Sequence, residues 1–311
     1  MRIAVVGAGT MGTGIAQAFA EAGLPVALYA RRRESLAAAR ERMRRNQAEL
    51  REAGLPVDGD ALARVEFTDD LAAAVGRADF VSENVPEDLA LKQAVFAELD
   101  RLAPSHAILA TDTSGLSITA IAAATRRPER VVGFHWLNPP HLMLPVEVNR
   151  GAHTSEATMA ATCELARRIG RHPIRVERDV PGFLWNRLQL ALLREALHLI
   201  EQGIASPQDI DLAVQWGLGF RWAVVGPLRV MDLAGLATFR AVAAQLYPHL
   251  CAATAPQALL EGKVAAGETG ARAGRGFHDY PPGAHEAWLR RRDAGLIALR
   301  RALAALPPAP A

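Results

Sequence analysis

The sequence predicts a doubly wound α/β sheet of parallel strands followed by a smaller all-α C-terminal domain. Three observations carry that prediction. Short, nearly continuous apolar runs alternate with long segments rich in Ala, Leu, Arg and Glu through the first half of the chain. A glycine turn, Gly7-Ala8-Gly9-Thr10-Met11-Gly12, follows the first of these runs at once. After Asp179-Val180-Pro181-Gly182 the strand-like runs stop and the pattern becomes helical. With 311 residues, half of them apolar, the chain is long enough for two domains with buried cores. The boundary is set near 180, giving a dinucleotide-binding type of domain over 1–180 and a helical domain over 181–311.

In order along the chain, apolar runs at 2–6, 25–29, 79–82, 107–111 and 131–136 predict strands. They are short and nearly continuous, as expected for strands buried on both faces. The segments between them, such as 34–54 and 87–102, predict covering helices. A stripe of Met159, Cys163, Ala166 and Ile169 marks another helix and places Cys163 inside it as a free thiol. In the second half, 186–202 carries Leu188, Leu190, Leu192, Leu193, Leu197 and Ile200, and Gly203 ends that helix. Ser206-Pro207-Gln208-Asp209 begins the next: Ser206 as cap, Pro207 in the first turn, Asp209 reaching back to the free amides. The tail after 304, rich in Ala and Pro, is expected to fray.

Composition excludes several function classes. The net charge is only +2, without the domain-wide basic excess of a nucleic-acid binder. No apolar run reaches membrane-spanning length. The opening Met1-Arg2-Ile3-Ala4-Val5-Val6 is too short for a signal-peptide core, and two cysteines, Cys163 and Cys251, make no disulfide framework. A cytoplasmic location is expected, and no metal enters the reading.

The glycine turn follows a strand and opens a helix around Thr10. Gly7 permits the tight turn, Gly9 lets backbone approach a pyrophosphate, and Gly12 allows close packing of helix on strand. The free N–H groups at the helix start, including those of Thr10 and Met11, favour phosphate. The second strand ordinarily ends in an acid that binds the ribose hydroxyls. Here Ala30 stands in its place, followed by Arg31, Arg32 and Arg33. Loss of the carboxylate and gain of guanidinium groups favour a 2′-phosphate, hence NADP(H) over NAD(H). The same arginines would also suit a solvated helix start, with NAD held by backbone contacts. Glu34 is expected to point along the next helix.

Three segments form a candidate catalytic set: Thr111-Asp112-Thr113-Ser114, the stretch from Gly133 through His135, Trp136 and Asn138 to Pro140, and Pro145-Val146-Glu147-Val148. Ser114 and His135 fall at strand ends, where parallel sheets bind ligands. Oxidising a secondary alcohol requires loss of its hydroxyl proton as hydride leaves carbon. His135 is suited to take that proton, and Glu147, on a strand that can pair back beside it, to fix its tautomer. Ser114 and Asn186 can position the substrate oxygen. Trp136 with Pro139, Pro140 and His141 is expected to shape the pocket. Each has a purely structural reading as well: Ser114 and Asn186 as helix caps, Glu147 as a solvated strand residue, His135 as a structural strand end.

With these residues in view, the chain resembles the 3-hydroxyacyl-CoA dehydrogenase family over nearly its whole length. The matching stretches are the glycine turn, Glu83-Asn84-Val85-Pro86-Glu87 with Leu91-Lys92, Thr113-Ser114, His135 with Asn138-Pro139, and Val146-Glu147-Val148. Further on they are Pro181-Gly182-Phe183 with Asn186-Arg187, Asp209-Ile210-Asp211, Gly226-Pro227 and Asp232-Leu233-Ala234-Gly235-Leu236. The resemblance implies a Rossmann-type domain, a helical second domain and a homodimer formed through it. It implies His135 as general base with Glu147 as partner, Ser114 and Asn186 on the substrate, and Val85, Glu87, Lys92, Ser114 and Asn138 around the cofactor's nicotinamide half. The implied reaction is reversible hydride transfer between NAD(P) and C3 of a 3-hydroxyacyl-CoA or its 3-oxo counterpart, with a free 3-hydroxy acid of the L-gulonate or carnitine type as the alternative substrate.

Three positions depart from the family pattern. Ala30 replaces the usual acid. Asp112 stands where Asn is common, adding a charge near the nicotinamide. The stretch Gly219-Phe220-Arg221-Trp222-Ala223 is more similar to the branch that acts on free acids, the L-gulonate and carnitine dehydrogenases, where Arg221 could pair with a substrate carboxylate or serve only a domain-internal salt bridge. Arg40, Arg44, Arg45 and Arg51 leave coenzyme A contacts open, and a solvated helix face explains them equally well. A non-enzymatic, cofactor-binding structural role of the lambda-crystallin kind is the alternative of another class, and the joint presence of Ser114, His135, Glu147 and Asn186 speaks against it. The 6-phosphogluconate and imine-reductase relatives begin with a similar turn but carry a catalytic lysine near the domain boundary, and there is no lysine between Lys92 and Lys263.

Overall fold

A computed structural model describes residues 1–307 of the chain, so most of the tail expected to fray lies outside the described residues. The chain divides into two compact units, Met1–Arg187 and a second beginning at Leu188. The division falls later than the Pro181-Gly182 punctuation suggests. Residues 183–187 still pack on the first unit, where Phe183 is buried and the backbone N–H groups of Leu184 and Trp185 bond to Glu147.

The first unit is built on one eight-stranded sheet. Its strands are β1 (Ile3–Val6), β2 (Val26–Tyr29), β3 (Val65–Thr68), β4 (Phe80–Glu83), β5 (Ile108–Thr111), β6 (Val131–Trp136), β7 (Pro145–Asn149) and β8 (His172–Val176). They lie in the order β3-β2-β1-β4-β5-β6-β7-β8. Every neighbouring pair is parallel except β6 and β7. The order reverses between β1 and β4, which opens a crevice beyond their carboxyl ends.

The helices are α1 (Thr10–Glu21), α2 (Arg33–Glu52), α3 (Leu71–Val75), α4 (Leu89–Leu102), α5 (Ile118–Ala122) and α6 (Glu156–Arg168). Alternation along β1 sorts them onto two faces. Ile3 and Val5 pack with side chains of α1, α2 and α6, whereas Ala4 and Val6 pack with those of α3, α4 and α5. α2 buries Leu36, Ala39, Met43, Gln47 and Leu50, the spacing of one helical stripe. Cys163 is buried in α6.

Two strands are not expected from the sequence. β3 and β8 form the sheet's two edges. β3 reads Val-Glu-Phe-Thr and is only half-covered, so it lacks an unbroken apolar run. β8 contains Pro173, which an edge strand tolerates.

The second unit contains most of α7 (Trp185–Glu201), then α8 (Pro207–Leu212), a π-helical stretch over Ala213–Gly219, α9 (Phe220–Val224), α10 (Pro227–Ala234), α11 (Leu236–Leu246), α12 (Ala258–Ala265) and α13 (Ala284–Ala304). Ser206 caps α8 by accepting from the Asp209 N–H at 3.1 Å, and its hydroxyl donates to the Asp209 carboxylate at 2.6 Å. The Asp209 carboxylate therefore meets the capping hydroxyl, not the free amides of the helix start that the sequence suggests for it. The segment after Leu250 is tied along α7: Glu195 accepts from the Cys251 N–H at 2.7 Å and Glu201 from the Leu259 N–H at 2.8 Å. None of α7 through α12 contains a fully buried side chain in the single chain. Among the described residues, no helix is long and apolar enough to cross a membrane.

Candidate active site

The glycine turn sits at the carboxyl end of β1, on the crevice side. Gly7 has φ +110°, and a Cβ there would stand 2.6 Å from the Asn84 carbonyl oxygen. A Cβ on Gly12 would stand 1.9 Å from the Gly7 carbonyl oxygen, so both positions require glycine. Gly9 differs: nothing lies within 4 Å of where its Cβ would be. That open space faces the first turn of α1, which carries no acidic residue. An open approach to unpaired N–H groups suits a dinucleotide pyrophosphate. A residue missed from the sequence adjoins it: Arg42 of α2 donates to the Thr10 hydroxyl at 3.0 Å. Of the other α2 arginines, Arg40 lies over the Phe67 ring and Arg44 beside Glu41.

Past β2, Ala30 is buried and its N–H donates to the Thr68 carbonyl at 3.2 Å. Arg31 and Arg32 are exposed, while Arg33 is held by Asp69 at 2.6 Å. Only the first two arginines are therefore free of a carboxylate among the described residues.

Beyond β4 and β5 lies a buried charge network whose centre the sequence does not reveal. Glu83 is fully buried, and Lys92 is nearly so. The Lys92 ammonium donates to Glu83 Oε1 at 2.8 Å, Glu83 Oε2 at 3.1 Å and the Val85 carbonyl at 3.1 Å. Glu83 also accepts from the Thr111 hydroxyl at 2.7 Å and the Val85 N–H at 2.5 Å. Glu87 stands 3.6 Å from Lys92 and accepts from the Thr113 hydroxyl at 2.5 Å and the Ser114 N–H at 3.0 Å. Each oxygen of the buried carboxylate is satisfied, as a buried ion pair requires. The signal available in the sequence is one of only two lysines, nine residues after an acid that ends an apolar run. Asp112 follows β5, and burial, then the Glu83 charge, hold its carboxyl well above the usual range against the opposing Trp136 N–H bond.

The antiparallel pairing of β6 and β7 places His135 directly opposite Glu147. His135 Nδ1 lies 2.6 Å from Glu147 Oε2, and both residues are buried. A carboxylate only accepts, so Nδ1 carries the proton and Nε2 is left with its lone pair. The other oxygen, Glu147 Oε1, accepts from the N–H groups of Leu184 at 3.0 Å and Trp185 at 2.8 Å, where α7 begins. Phe183 holds a left-handed φ of +48°, and its ring centre lies 5.9 Å from that of His135. Gly182, at φ +76°, precedes it in the same region of backbone space.

Ser114 is exposed, and its carbonyl accepts from Asn186 Nδ2 at 2.6 Å. α5 starts at Ile118 and is capped by Ser117, so the Ser114 hydroxyl is not its cap. Asn138 is exposed just past β6. Two expectations resolve differently. Trp136 does not line this site: successive strand residues face opposite sides, and Trp136 packs into the core at 6.0 Å from Phe19 and 5.3 Å from Phe134. Arg221 lies exposed on α9 in the second unit and forms no ion pair among the described residues.

These elements define a nicotinamide-dependent dehydrogenase: a dinucleotide crevice with a buried histidine–carboxylate pair at its far end. Models of the 3-hydroxyacyl-CoA dehydrogenase NAD-binding domain and C-terminal domain match residues 2–180 and 182–280, and the chain belongs to that family. It is 39% identical over 301 residues to the 5-formyl-3-hydroxy-2-methylpyridine 4-carboxylate 5-dehydrogenase of Mesorhizobium japonicum, covering 97% of each chain. A crystal structure of an enzyme of that activity, described as an NAD+-dependent dismutase, superposes with a TM-score of 0.93 at 38% identity, covering 98% of this chain and 99% of that one. The (S)-3-hydroxybutyryl-CoA dehydrogenase of Ralstonia eutropha superposes with a TM-score of 0.75 at 34% identity, covering 90% of this chain and 99% of that one.

Proposed function

We propose that the protein oxidises the hydroxyl-bearing or hydrated carbonyl carbon of a small free carboxylic acid, with His135 as general base. The observation that carries the chemistry is the 2.6 Å bond between His135 Nδ1 and Glu147. It leaves Nε2 to take the hydroxyl proton while the nearby carboxylate stabilises the imidazolium. When bound, the cofactor supplies the hydride acceptor. Ser114 and Asn186, tied together at 2.6 Å, position the substrate oxygen. Glu87, Lys92, Val85 and Asn138 line the nicotinamide end.

The free-acid reading is supported by the full-length match to a pyridine-carboxylate dehydrogenase, including α13, which lies beyond the family's C-terminal model. A second reading, a 3-hydroxyacyl-CoA thioester, is favoured by the match to 3-hydroxybutyryl-CoA dehydrogenases over 90% of the chain. NADP(H) is proposed over NAD(H) because Ala30 carries no acid and Arg31 and Arg32 are exposed without a carboxylate partner among the described residues. A homodimer through the helical unit is supported by the exposed apolar side chains there, with Leu228 and Leu233 about three-quarters accessible. The unpaired Cys163 and Cys251 support a reducing, cytoplasmic setting.

The test is steady-state oxidation of 5-formyl-3-hydroxy-2-methylpyridine 4-carboxylate, free 3-hydroxybutyrate and 3-hydroxybutyryl-CoA, each with NADP and NAD, using His135→Ala as control. Turnover of a free acid, lost in the control, supports the proposal. Turnover of the thioester alone replaces it with the second reading, and undiminished turnover by His135→Ala removes the assigned base.

A further inference from the structure

Asp112 occupies a place the reaction as described does not use, and the inference drawn from it rests on the cofactor reading above. β5 ends at Thr111, so Asp112 is the first residue beyond the carboxyl end of that strand. Its N–H donates to the Glu83 carbonyl at 2.9 Å, and its Oδ1 accepts the Trp136 N–H at 2.8 Å. The carboxyl is thereby fixed between the ends of β4 and β6, half-buried. If the adenosine end of a dinucleotide lies at Ala30–Arg32 and its pyrophosphate on the glycine turn, the other half runs over the ends of β4 and β5 toward Ser114 and His135. Asp112 lies on that path.

The charged groups acting on it are Glu83 from β4, Glu87 from the loop after β4 and Lys92 from α4; the paired His135 precedes Trp136, whose N–H Asp112 accepts. Lys92, whose charge opposes protonation of Asp112, is already committed to Glu83 and the Val85 carbonyl. Asp112 Oδ1 is committed to the Trp136 N–H, which leaves Oδ2 to carry or lose a proton. Burial, then the Glu83 charge, favour the protonated form, against the Trp136 hydrogen bond. An asparagine here would accept the same Trp136 N–H and could never titrate.

We propose that Asp112 senses the charge of the nicotinamide, holding a proton beside the neutral reduced ring and releasing it beside the cationic oxidised ring. An ionised carboxylate near a positive ring is stabilised, and the same carboxylate near a neutral ring is not. Oxidised cofactor therefore binds with release of a proton and more tightly as pH rises, while reduced cofactor binds without it. Alkaline conditions poise the enzyme toward its oxidised-cofactor complex.

The experiment is isothermal titration of the full-length protein with NADP+ and NADPH, and with NAD+ and NADH, in buffers of different ionisation enthalpy across pH 6–9. The two forms of each pair carry the same phosphates, so their difference isolates the ring charge. Wild type is expected to release up to one more proton with the oxidised form, and its ratio of Kd values to change by up to about tenfold per pH unit. Asp112→Asn is expected to bind both forms and to lose that difference, and His135→Ala to keep it. A difference that survives in Asp112→Asn, or that vanishes in His135→Ala, overturns the proposal. Equal proton release for both forms in wild type overturns it alone, whereas no binding of either form overturns the cofactor reading as well.

Discussion

Replacing Glu147 by Gln removes one charge and no volume, yet no orientation of the new amide keeps both the two backbone bonds and the Nδ1–H tautomer of His135. Glu147 Oε1 accepts two backbone N–H groups, from Leu184 and Trp185, and Oε2 accepts from His135 Nδ1. If the amide oxygen of the introduced glutamine faces the two N–H groups, its NH2 faces Nδ1, which must then become an acceptor. The imidazole proton moves to Nε2, and the lone pair that would take the substrate proton is gone. If the amide oxygen faces Nδ1 instead, the NH2 group confronts two donors at the start of α7. The first arrangement leaves fewer groups unpaired and is the one expected. Hydrogen bonds to a charged acceptor contribute about 1.5–3 kcal/mol each, roughly twice the neutral value, so making three neutral costs about 2–4 kcal/mol. At roughly 2–4 °C per kcal/mol for a unit of this size, Tm falls by about 5–15 °C. The lost base lowers kcat by about a hundredfold to ten-thousandfold, with cofactor affinity little changed. Differential scanning calorimetry, kcat against pH, and fluorescence titration of the reduced cofactor read the three quantities separately. A Glu147→Gln enzyme with wild-type kcat and Tm would refute both the tautomer assignment and the anchoring of α7.

Three other perturbations probe separate parts of the first unit. Ala30→Asp places a carboxylate at the end of β2 and is expected to shift the kcat/KM ratio toward NAD by about tenfold, one charge interaction of roughly 1.4 kcal/mol; an unchanged ratio would mean that Arg31 and Arg32 do not read a 2′-phosphate. Lys92→Met strands the buried Glu83 charge and is expected to cost about 3–5 kcal/mol in urea unfolding, with much of that recovered in Lys92→Met/Glu83→Gln; equal losses in both would show that the pair is not coupled. Glu156 is held down to about 2, from an ordinary 4.5, by hydrogen bonds from Arg175 and Arg150. A depressed carboxyl stabilises the fold above its unfolded value and stops doing so as pH falls from 4.5 toward 2, so the gap in urea midpoint between wild type and Glu156→Gln is expected at pH 6 and should close across that window; a gap independent of pH removes the ion pair as its cause.

The parts of the molecule legible in the sequence are those where one local rule suffices. β1, β2, β4, β5 and β6 are nearly continuous apolar runs with polar residues only toward their carboxyl ends, and each lies inside the sheet. β3 and β8 lie at its edges, where half-covered residues and Pro173 dilute the apolar signal. The pairing of His135 with Glu147 is readable because a short loop returns β7 antiparallel beside β6. Trp136 is misplaced by the sequence reading although strand alternation is available to correct it: a residue next to His135 in a strand faces the opposite side of the sheet. Glu83 is harder. Its ion pair depends on β4 and α4 being brought together over β5, and a single acid at the end of an apolar run announces nothing by itself.

The junction near 180 shows why periodicity and packing divide the chain at different places. Pro181-Gly182 ends the strand-and-helix alternation, so a reading of periodicity stops there. The next five residues nevertheless complete the first unit. Phe183 adopts an unfavourable φ to bury its ring beside His135, Leu184 and Trp185 give their N–H groups to Glu147, and Asn186 holds the Ser114 carbonyl. A left-handed backbone at a bulky residue persists only where surrounding contacts over-determine it. Here those contacts are the candidate site itself. The junction is therefore part of the apparatus that orients His135, and substitutions at Gly182 or Phe183 should act on the base before they act on the mutual folding of the helices that follow.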